Sequence, residues 1–450
     1  MPTYTPHTPE EIDAMLGSLG LSSMEELFEV IPASMRLAGG LDLPPGSPEP
    51  DVRAHMEAYA AANRPCGNAL VCFAGGGAYD HEVPAVTRSL ASRSEFVTSY
   101  TPYQPEVAQG VLQALFEFQT MVVRLAGLDV ANASLYDGSA ALVEAVNLAA
   151  SATGRDTIWI SSGVRPAWRQ VLGTYAGGTG HDLVELPLAD GSTAWPARPS
   201  PSTHPPAALV VAYPNHLGCL EDLAEAKALS MAAGALLVVA FDPVAAGILR
   251  SAGEWGADVA VGEGQALGLP LSFGGPYLGL FACRRQHVRQ MPGRLVGETL
   301  DLDSKRAYVT TLRAREQDIR REKASSNVCT NQTLMAVTAA VQMAWLGPAG
   351  LAEVATRSAR ATRYCRDALL GIEGVEPLCS APVLREMALR VPVDASVLVE
   401  RLVDEGFLAG LALEPEYTGG SPDGLLVACT ERRTRAEIDA FAGAFAKAVR

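Results

Sequence analysis

The chain has 450 residues, a net charge of −15 at neutral pH and a pI near 5.0. Apolar residues make up 48% and charged residues 19%, so a globular chain with a large core is expected. The acidic balance argues against nucleic acid or an anionic membrane as a partner. The eight cysteines form no CxxC pair and have no histidine at metal-ligand spacing, so no metal site and a reducing compartment are predicted. The first ten residues lack the pattern of a signal peptide, which favours a cytoplasmic protein.

The N-terminal residues predict an arm rather than a core. Thr8 followed by Pro9 and two acids is typical of a capped helix start. Residues 41–50 form a linker rich in proline and glycine. We therefore assign residues 1–62 to an N-terminal arm and its helices.

Apolar strands then alternate with helices. Apolar side chains recur at helical spacing over residues 106–128. Strands are predicted at residues 70–73, 157–160, 183–186, 207–212, 235–241, 257–261 and 277–282, and helices at residues 167–175, 220–232 and from 138 onward. Such alternation predicts an α/β domain, residues 63–346, with a mostly parallel sheet covered on both faces.

After residue 347 the pattern changes. Strands are predicted at residues 383–391, 407–413 and 424–429, and helices at residues 395–405 and 434–449. This pattern predicts a smaller C-terminal α+β domain, residues 347–450.

Polar residues follow three of the predicted parallel strands. Asp242 ends strand 235–241, Asn215 follows strand 207–212, and Gln265 lies in the polar turn after strand 257–261. Ligands of open parallel sheets bind at the carboxyl ends of the strands, although Asp242 could equally be a turn residue before Pro243. Ser139, at the start of a helix, fits either an anion site or, more simply, an N-cap.

This layout resembles the large domain of fold-type I pyridoxal-phosphate (PLP) enzymes, the aspartate aminotransferase-like fold. In that fold an Asp pairs with the pyridinium nitrogen, and a lysine in the polar turn holds PLP as a Schiff base. The turn here offers Gln265, whose amide cannot form an imine. The four lysines of the chain are Lys227, Lys305, Lys323 and Lys447. The resemblance therefore implies a vestigial cofactor site at Ser139, Asp242 and Gln265, without a covalently held cofactor.

Two further segments have the composition of site-lining loops. Tyr100, Tyr103 and Gln104 surround two prolines just before a long helix, and proline reduces the entropy cost of ordering a loop. The plainer interpretation is a helix entry with Pro105 at its first position. Residues 313–323 are a charged stretch typical of a solvated helix face, and the small polar residues 324–330 after it suggest a site-facing or interface loop.

Several segments together resemble the glycine decarboxylase P-protein family, the PLP component of the glycine cleavage system. They are residues 6–12, 99–110, 136–141, 214–215, 272–279, 315–327 and 427–434. P-proteins occur as one long chain or as two half-length chains, and this chain resembles the alpha chain. The resemblance implies that the beta subunit carries the Schiff-base lysine and PLP. It also implies that glycine is decarboxylated there and that its aminomethyl group passes to the lipoyl arm of the H-protein.

The resemblance also implies where this chain contributes. Side chains expected to reach the partner's site across the subunit interface are Tyr100, Tyr103, Gln104, Ser326 and Asn327, and none is assigned as an acid or base. Whether the assembly is αβ or α2β2 stays open.

Three positions depart from the family pattern, and two other functions remain open. Arg165 and Asp318 stand where the family has His, and Arg313 where it has Gln. One alternative is a non-enzymatic scaffold subunit. The other is an independent fold-type I PLP enzyme using Lys305 or Lys323.

Overall fold

The computed structural model describes most of the chain. The described residues are 6–37, 39, 41–67, 69–97, 100–196, 205–312, 319–320, 324, 326 and 328–450. They divide into two compact units, Met1–Asn63 and Arg64–Arg450. Asn327, Arg313, Asp318 and Lys323 lie outside the described residues.

The first unit is built from short helices. It contains α1 (Pro9–Ser18), α2 (Glu49–Ala61) and 3₁₀ turns at Met24–Phe28 and Ala33–Met35. The predicted cap is confirmed: the Thr8 side chain accepts a hydrogen bond from the Glu11 N–H, and the Glu11 carboxylate accepts one from the Thr8 N–H. This capping box satisfies two N–H groups that the helix itself leaves unpaired.

The second unit contains the remaining elements. The helices are α3 (Ala85–Ala91), α4 (Ser94–Val97), α5 (Gln109–Ala126), α6 (Gly138–Thr153), α7 (Pro166–Thr179), α8 (Leu223–Ala233), α9 (Thr333–Leu370), α10 (Ala395–Asp404), α11 (Pro415–Thr418) and α12 (Arg435–Ala448). The first strands are β1 (Val71–Cys72), β2 (Val130–Ala131), β3 (Thr157–Ser161), β4 (Asp182–Leu186), β5 (Leu188–Ala189), β6 (Ser192–Thr193), β7 (Ala208–Tyr213), β8 (Leu236–Phe241), β9 (Val259–Glu263) and β10 (Gly279–Cys283). They are followed by β11 (Leu295–Leu300), β12 (Arg306–Thr311), β13 (Glu376–Pro377), β14 (Glu386–Arg390), β15 (Phe407–Leu408), β16 (Leu411–Ala412) and β17 (Gly424–Ala428).

A seven-stranded sheet forms the centre of this unit, in the order β2-β10-β9-β8-β7-β3-β4. Strands β9, β8, β7, β3 and β4 run parallel, while β10 is antiparallel to both of its neighbours. Alternate residues of the apolar strands enter two cores. Leu209 and Val211 pack on the face that carries α5, and Val210 and Ala212 on the face that carries α6. The mostly parallel sheet predicted from the apolar runs is thus confirmed. Apolar runs predict such a sheet because both of its faces are covered and its strands are buried on both sides.

The C-terminal residues form a second, antiparallel sheet in the order β13-β14-β17-β16, packed with α10 and α12. Helix α9 precedes it and is long and apolar enough to cross a bilayer by length and composition. However, Gly347 (φ 60°, ψ 179°) breaks its helical geometry, and Ala336, Ala339 and Ala340 are buried in the protein core. Burial within the core accounts for part of its apolar sequence.

Candidate functional site

The carboxyl ends of β7, β8 and β9 bring the predicted polar residues to one edge of the sheet. Asp242 follows β8 directly, and Gln265 lies two residues beyond β9. Asn215 follows β7, but its side chain serves the local loop: its amide donates to the Gly191 carbonyl and to Glu221. Asp242 lines the candidate site directly, and Gln265 lies buried beside it.

Gln265 is almost completely buried and fully hydrogen-bonded. Its Nε2 donates to the carbonyls of Tyr79 (3.1 Å) and Leu269 (2.9 Å), and its Oε1 accepts the Tyr79 N–H (2.8 Å). A primary amide has both donor and acceptor groups, so it can bridge a backbone N–H and a backbone carbonyl of one residue. Gln265 thus fixes the loop that carries Tyr79.

Asp242 forms a buried ion pair with Arg385, which precedes β14 of the C-terminal sheet. Its other oxygen accepts the N–H groups of Val244 (2.8 Å) and Ala245 (3.0 Å). Burial raises the pKa of Asp242, but the Arg385 cation and the Ala245 N–H outweigh it and hold the pKa below its ordinary value. In this chain the carboxylate already has a cationic partner from the protein itself.

The ring of Tyr79 occupies the space next to this ion pair. The Arg385 guanidinium lies 3.4 Å from the ring centroid, and the Tyr79 hydroxyl donates to Glu386 (2.6 Å). Arg165, one of the departures from the family pattern, donates to the same hydroxyl (2.9 Å). Burial raises the pKa of Tyr79, so it is a neutral phenol at physiological pH.

A histidine and a second carboxylate extend the network. The Arg385 Nη1 lies 2.7 Å from His81 Nε2, and His81 Nδ1 lies 2.6 Å from Glu431 Oε2. A guanidinium can only donate, so Nε2 is assigned as the acceptor and Nδ1 as the donor of a neutral imidazole. Burial raises the pKa of Glu431, but the contacts of this carboxylate with His81 and with backbone N–H groups together have the larger effect in the opposite direction. The pKa of Glu431 therefore lies below its ordinary value.

The start of α6, the predicted anion site, is capped by the protein's own carboxylates. Asp137 rather than Ser139 is the N-cap: its side chain accepts the Ala140 N–H (2.8 Å) and the Ser139 hydroxyl (2.6 Å). Glu263 accepts the N–H of Gly138 (2.9 Å) as well as those of Gln265 and Leu278. Burial raises the pKa of Glu263 to about 7. A phosphate at this helix start would meet two carboxylates.

These contacts decide whether PLP fits this chain, and it does not. The cavity between Tyr79, Arg165 and Asp242 measures about 20 Å³, enough for about one water molecule. The aspartate is paired, the helix start is capped, and Gln265 cannot form an imine. We call this set, consisting of Tyr79, Asp242, Glu263, Gln265, Arg385 and Glu386, the polar plug.

The described lysines do not change this conclusion. Lys305 lies at the β11–β12 hairpin, 74% exposed, and pairs with Asp303 (3.4 Å). Lys227 pairs with Asp258 (3.4 Å), and Lys447 lies in the last turn of α12. Within the part of the chain that the structure describes, no lysine lines the cavity beside Asp242.

The candidates for a contribution to a partner lie on a different surface. Tyr100 and Tyr103 are 80% and 63% exposed, and Gln104 is exposed beside them. The Arg294 guanidinium lies 5.7 Å from the Tyr103 ring centroid and donates to Thr101 and to Asn331 Oδ1 (3.2 Å). We call the segment 100–104 the tyrosine loop.

Arg294 also joins the tyrosine loop to the second predicted segment. It lies 3.4 Å from the Cys329 carbonyl, and the Cys329 N–H donates to the Tyr136 hydroxyl (3.3 Å). Ser326 is buried, and its hydroxyl accepts the Val328 N–H (3.1 Å). The structure therefore brings the tyrosine loop and the segment around Cys329 together through Arg294, a residue that sequence reasoning missed.

Sequence reasoning also missed most of the polar plug. The run of three glycines at Gly75–Gly77 is a signal in the sequence that could have found part of it. A Cβ on Gly77 would lie 2.6 Å from Arg165 Nη1, and one on Gly75 would lie 2.8 Å from the Tyr79 ring. The run marks a close approach of the backbone to polar side chains.

Comparison with known proteins identifies the family of this chain. The sequence profile of the glycine cleavage system P-protein family matches residues 2–445. The chain belongs to this family. A relative from Moorella thermoacetica, described as a probable glycine dehydrogenase (decarboxylating) subunit 1, is 47% identical over 442 residues, which cover 98% of each chain.

Solved structures show the same relationship and the fold. A crystal structure of a glycine decarboxylase P-protein in inhibitor-bound form matches with a TM-score of 0.91 and 44% identity, over 99% of this chain and 100% of that chain. A sphingosine-1-phosphate lyase from Burkholderia pseudomallei matches with a TM-score of 0.66 and 15% identity, over 93% of this chain and 94% of that chain. The predicted fold-type I architecture is confirmed.

Proposed function

We propose that this chain is subunit 1 of a two-chain glycine decarboxylase whose second subunit holds PLP covalently. The observation that carries the proposal is Gln265, which is held by three hydrogen bonds inside the polar plug. It lies in the turn after β9, where the resemblance to fold-type I enzymes implies the Schiff-base lysine. A chain of this family without a site that fits PLP needs a partner that provides one. The names of its relatives, glycine dehydrogenase subunit 1, support this division of roles.

The proposed substrates follow from the family. Glycine loses its carboxyl group in the partner's site, and the aminomethyl group passes to the lipoyl arm of the H-protein. PLP, when bound to the partner, supplies the electron sink for the carbanion. Everything that this chain adds is positioning and electrostatics.

We assign that contribution to the tyrosine loop. Two exposed phenols and an exposed amide can donate hydrogen bonds to a ligand in a neighbouring subunit, and they can exclude water from it. Arg294 is almost completely buried and anchors the loop through Thr101 and the Tyr103 ring. A loop held in this way loses little entropy on binding.

The test is glycine–bicarbonate exchange with lipoylated H-protein, measured for each subunit alone and for the co-expressed pair. Activity only in the pair is the expected result. Exchange by this chain alone would overturn the proposal, because it would require a PLP site that the polar plug precludes.

The Tyr103→Phe variant separates a positioning subunit from a scaffold. Losing one hydrogen bond to a charged ligand costs ~1.5–3 kcal/mol, so kcat of the pair should fall about tenfold or more. Tyr175→Phe is the matched control, because Tyr175 is an exposed phenol (54%) on α7. If gel filtration shows intact pairs and both variants retain full kcat, the role of Tyr103 is refuted. The chain would then be a scaffold subunit, a function that is also compatible with the closed polar plug.

A further inference from the structure

Two buried cysteines meet where the large sheet and the C-terminal sheet adjoin. Cys219 lies in the loop after β7, and Cys379 lies between β13 and β14. Their Sγ atoms are 3.0 Å apart, although the residues are 160 positions apart in sequence. The Cys219 N–H donates to Asn215 Oδ1 (3.1 Å), which fixes one side of the pair. A disulfide bond of ~2.05 Å requires the sulfur atoms to approach by only about 1 Å.

The backbone at Gly191 packs directly against both sulfur atoms. A Cβ there would lie 2.5 Å from Cys379 Cβ, 2.8 Å from Cys379 Sγ and 2.9 Å from Cys219 Sγ. The φ of Gly191 is 83°, a left-handed value that favours glycine. Glycine at this position leaves room for the two sulfur atoms to face each other.

Only one of the two cysteines lines a cavity. Cys379 borders a cavity of about 250 Å³ together with Gly191, Asp190 and Glu416, whereas Cys219 lies behind it. Asp190 and Glu416 are exposed, so the cavity connects to the protein surface. This volume admits a small reagent to Cys379, and Cys219 is fully buried.

The pKa shifts of the two thiols also favour Cys379 as the more reactive one. A hydrogen bond from Cys219 lowers the pKa of Cys379, while burial and the nearby Asp190 carboxylate oppose this effect. The hydrogen bond to Cys379 raises the pKa of Cys219. The thiolate is the nucleophile in sulfur chemistry, so Cys379 is the thiol that reacts first.

We propose that Cys379 and Cys219 are a dithiol that a hydroperoxide entering this cavity oxidises to a disulfide. The Cys379 thiolate attacks one peroxide oxygen and the O–O bond breaks, which leaves a sulfenic acid on Cys379. The leaving oxygen takes a proton and departs as water when the oxidant is hydrogen peroxide. Cys219 sulfur then attacks the sulfenic sulfur, the S–O bond breaks, and a second water leaves. In sum two thiols lose two hydrogen atoms and the peroxide is reduced to two waters.

The resulting bond would join the loop after β7 to the C-terminal sheet. It would close a long loop and so restrict the unfolded chain, which raises Tm. This inference does not depend on the proposed function, since it concerns only the thiols and the cavity of this chain.

The test treats the full-length chain with hydrogen peroxide, then alkylates free thiols after unfolding and maps peptides by mass spectrometry. The expected result is a peptide pair linked between Cys219 and Cys379, lighter by two hydrogen atoms and reversed by dithiothreitol. Cys365 and Cys429 are the internal control, because they are a hydrogen-bonded pair buried in the C-terminal core. Both should remain alkylatable.

Three results would overturn the proposal. They are full alkylation of both Cys219 and Cys379, irreversible oxidation of Cys379 without a link, and equally fast linkage of Cys365 to Cys429. In the Cys219→Ala variant the sulfenic acid on Cys379 should persist and react with dimedone. In Cys379→Ala, Cys219 should stay reduced.

The Asp190→Asn variant tests the electrostatics without touching either sulfur. The φ of Asp190 is 48°, a left-handed value that asparagine tolerates, and its Oδ1 accepts the Ser380 N–H (2.9 Å), as an asparagine carbonyl can. Removal of the negative charge should speed linkage several-fold. The Asp190 carboxylate opposes ionisation of both thiols, so an unchanged or slower rate would contradict attack by a thiolate of this pair.

Discussion

Placing a lysine at position 265 should not turn this chain into a PLP-binding protein. In Gln265→Lys the ammonium can still donate to the carbonyls of Tyr79 and Leu269, but nothing accepts the buried Tyr79 N–H. One unsatisfied buried donor costs ~1–3 kcal/mol, and burial of the ammonium adds to that cost. PLP would still meet a paired Asp242, a helix start capped by Glu263, and a cavity of about 20 Å³.

The assay has two parts. Borohydride reduction after incubation with PLP, followed by peptide mapping by mass spectrometry, should show no adduct at position 265 of the Gln265→Lys variant. Urea unfolding should show a free energy of unfolding lower by at least ~1–3 kcal/mol, the cost of the unsatisfied Tyr79 N–H alone. The control, Gln265→Met, keeps the side-chain length, carries no amine and loses all three hydrogen bonds, so its free energy of unfolding should fall by roughly 2–6 kcal/mol. A stoichiometric PLP adduct at position 265 would refute the conclusion that the polar plug closes the site.

Further substitutions test the buried charges and the close packing. Arg385→Leu leaves Asp242 as an uncompensated buried carboxylate and should cost ~3–5 kcal/mol in urea unfolding, and the added change Asp242→Asn should recover part of the loss. Glu144 is buried with a pKa raised by burial to about 7, and no described donor reaches its Oε2. Between about pH 4.5 and 7 the Glu144 carboxyl is protonated in the folded protein, whereas in the unfolded chain it has lost its proton. Stability should therefore fall by up to about 3 kcal/mol as pH rises from 4.5 to 7, a slope that Glu144→Gln should reduce in urea titrations across this range. Gly138→Ala would drive a Cβ into the Trp168 ring and should lower the free energy of unfolding by ~1–3 kcal/mol.

The strands and the position of the site could be predicted from the sequence because the signals are local. Apolar runs with no polar interruption mark β7 and β8, and a parallel sheet places the residues after them at one edge. This reasoning places Asp242 and Gln265 just after β8 and β9, where the structure has them. The change in pattern after residue 347 predicts a smaller α+β domain, and the structure has an antiparallel sheet there. The C-terminal strand predicted at 407–413 is two short strands, β15 and β16, with Gly410 (φ 145°) between them. Glycine interrupts a strand where the backbone must turn.

The polar plug could not be predicted because its contacts join distant segments. Arg385 is 143 residues from Asp242, and Gln265 is 186 residues from Tyr79. Nothing in the neighbouring sequence of either residue indicates its partner. At the start of α6 the prediction of Ser139 as the cap is wrong for a local reason, because Asp137, two residues earlier, fills that role. Only the contact from Glu263 at the end of β9 joins a distant segment there.

Charge balance explains why the aspartate and the arginine belong together. A buried carboxylate without a cation is strongly unfavourable, and in fold-type I enzymes the protonated pyridine of PLP provides that cation. Among the described residues no lysine lines the cavity beside Asp242, yet the chain keeps this aspartate at the end of β8. Arg385 supplies the missing positive charge, Tyr79 covers the guanidinium, and Glu263 takes the helix start where a phosphate would bind. The site is therefore closed by several residues that compensate one another, and a single substitution cannot reopen it. We therefore propose that the chain's part in glycine decarboxylation lies at surfaces that reach its partner, and the tyrosine loop is our candidate for such a surface.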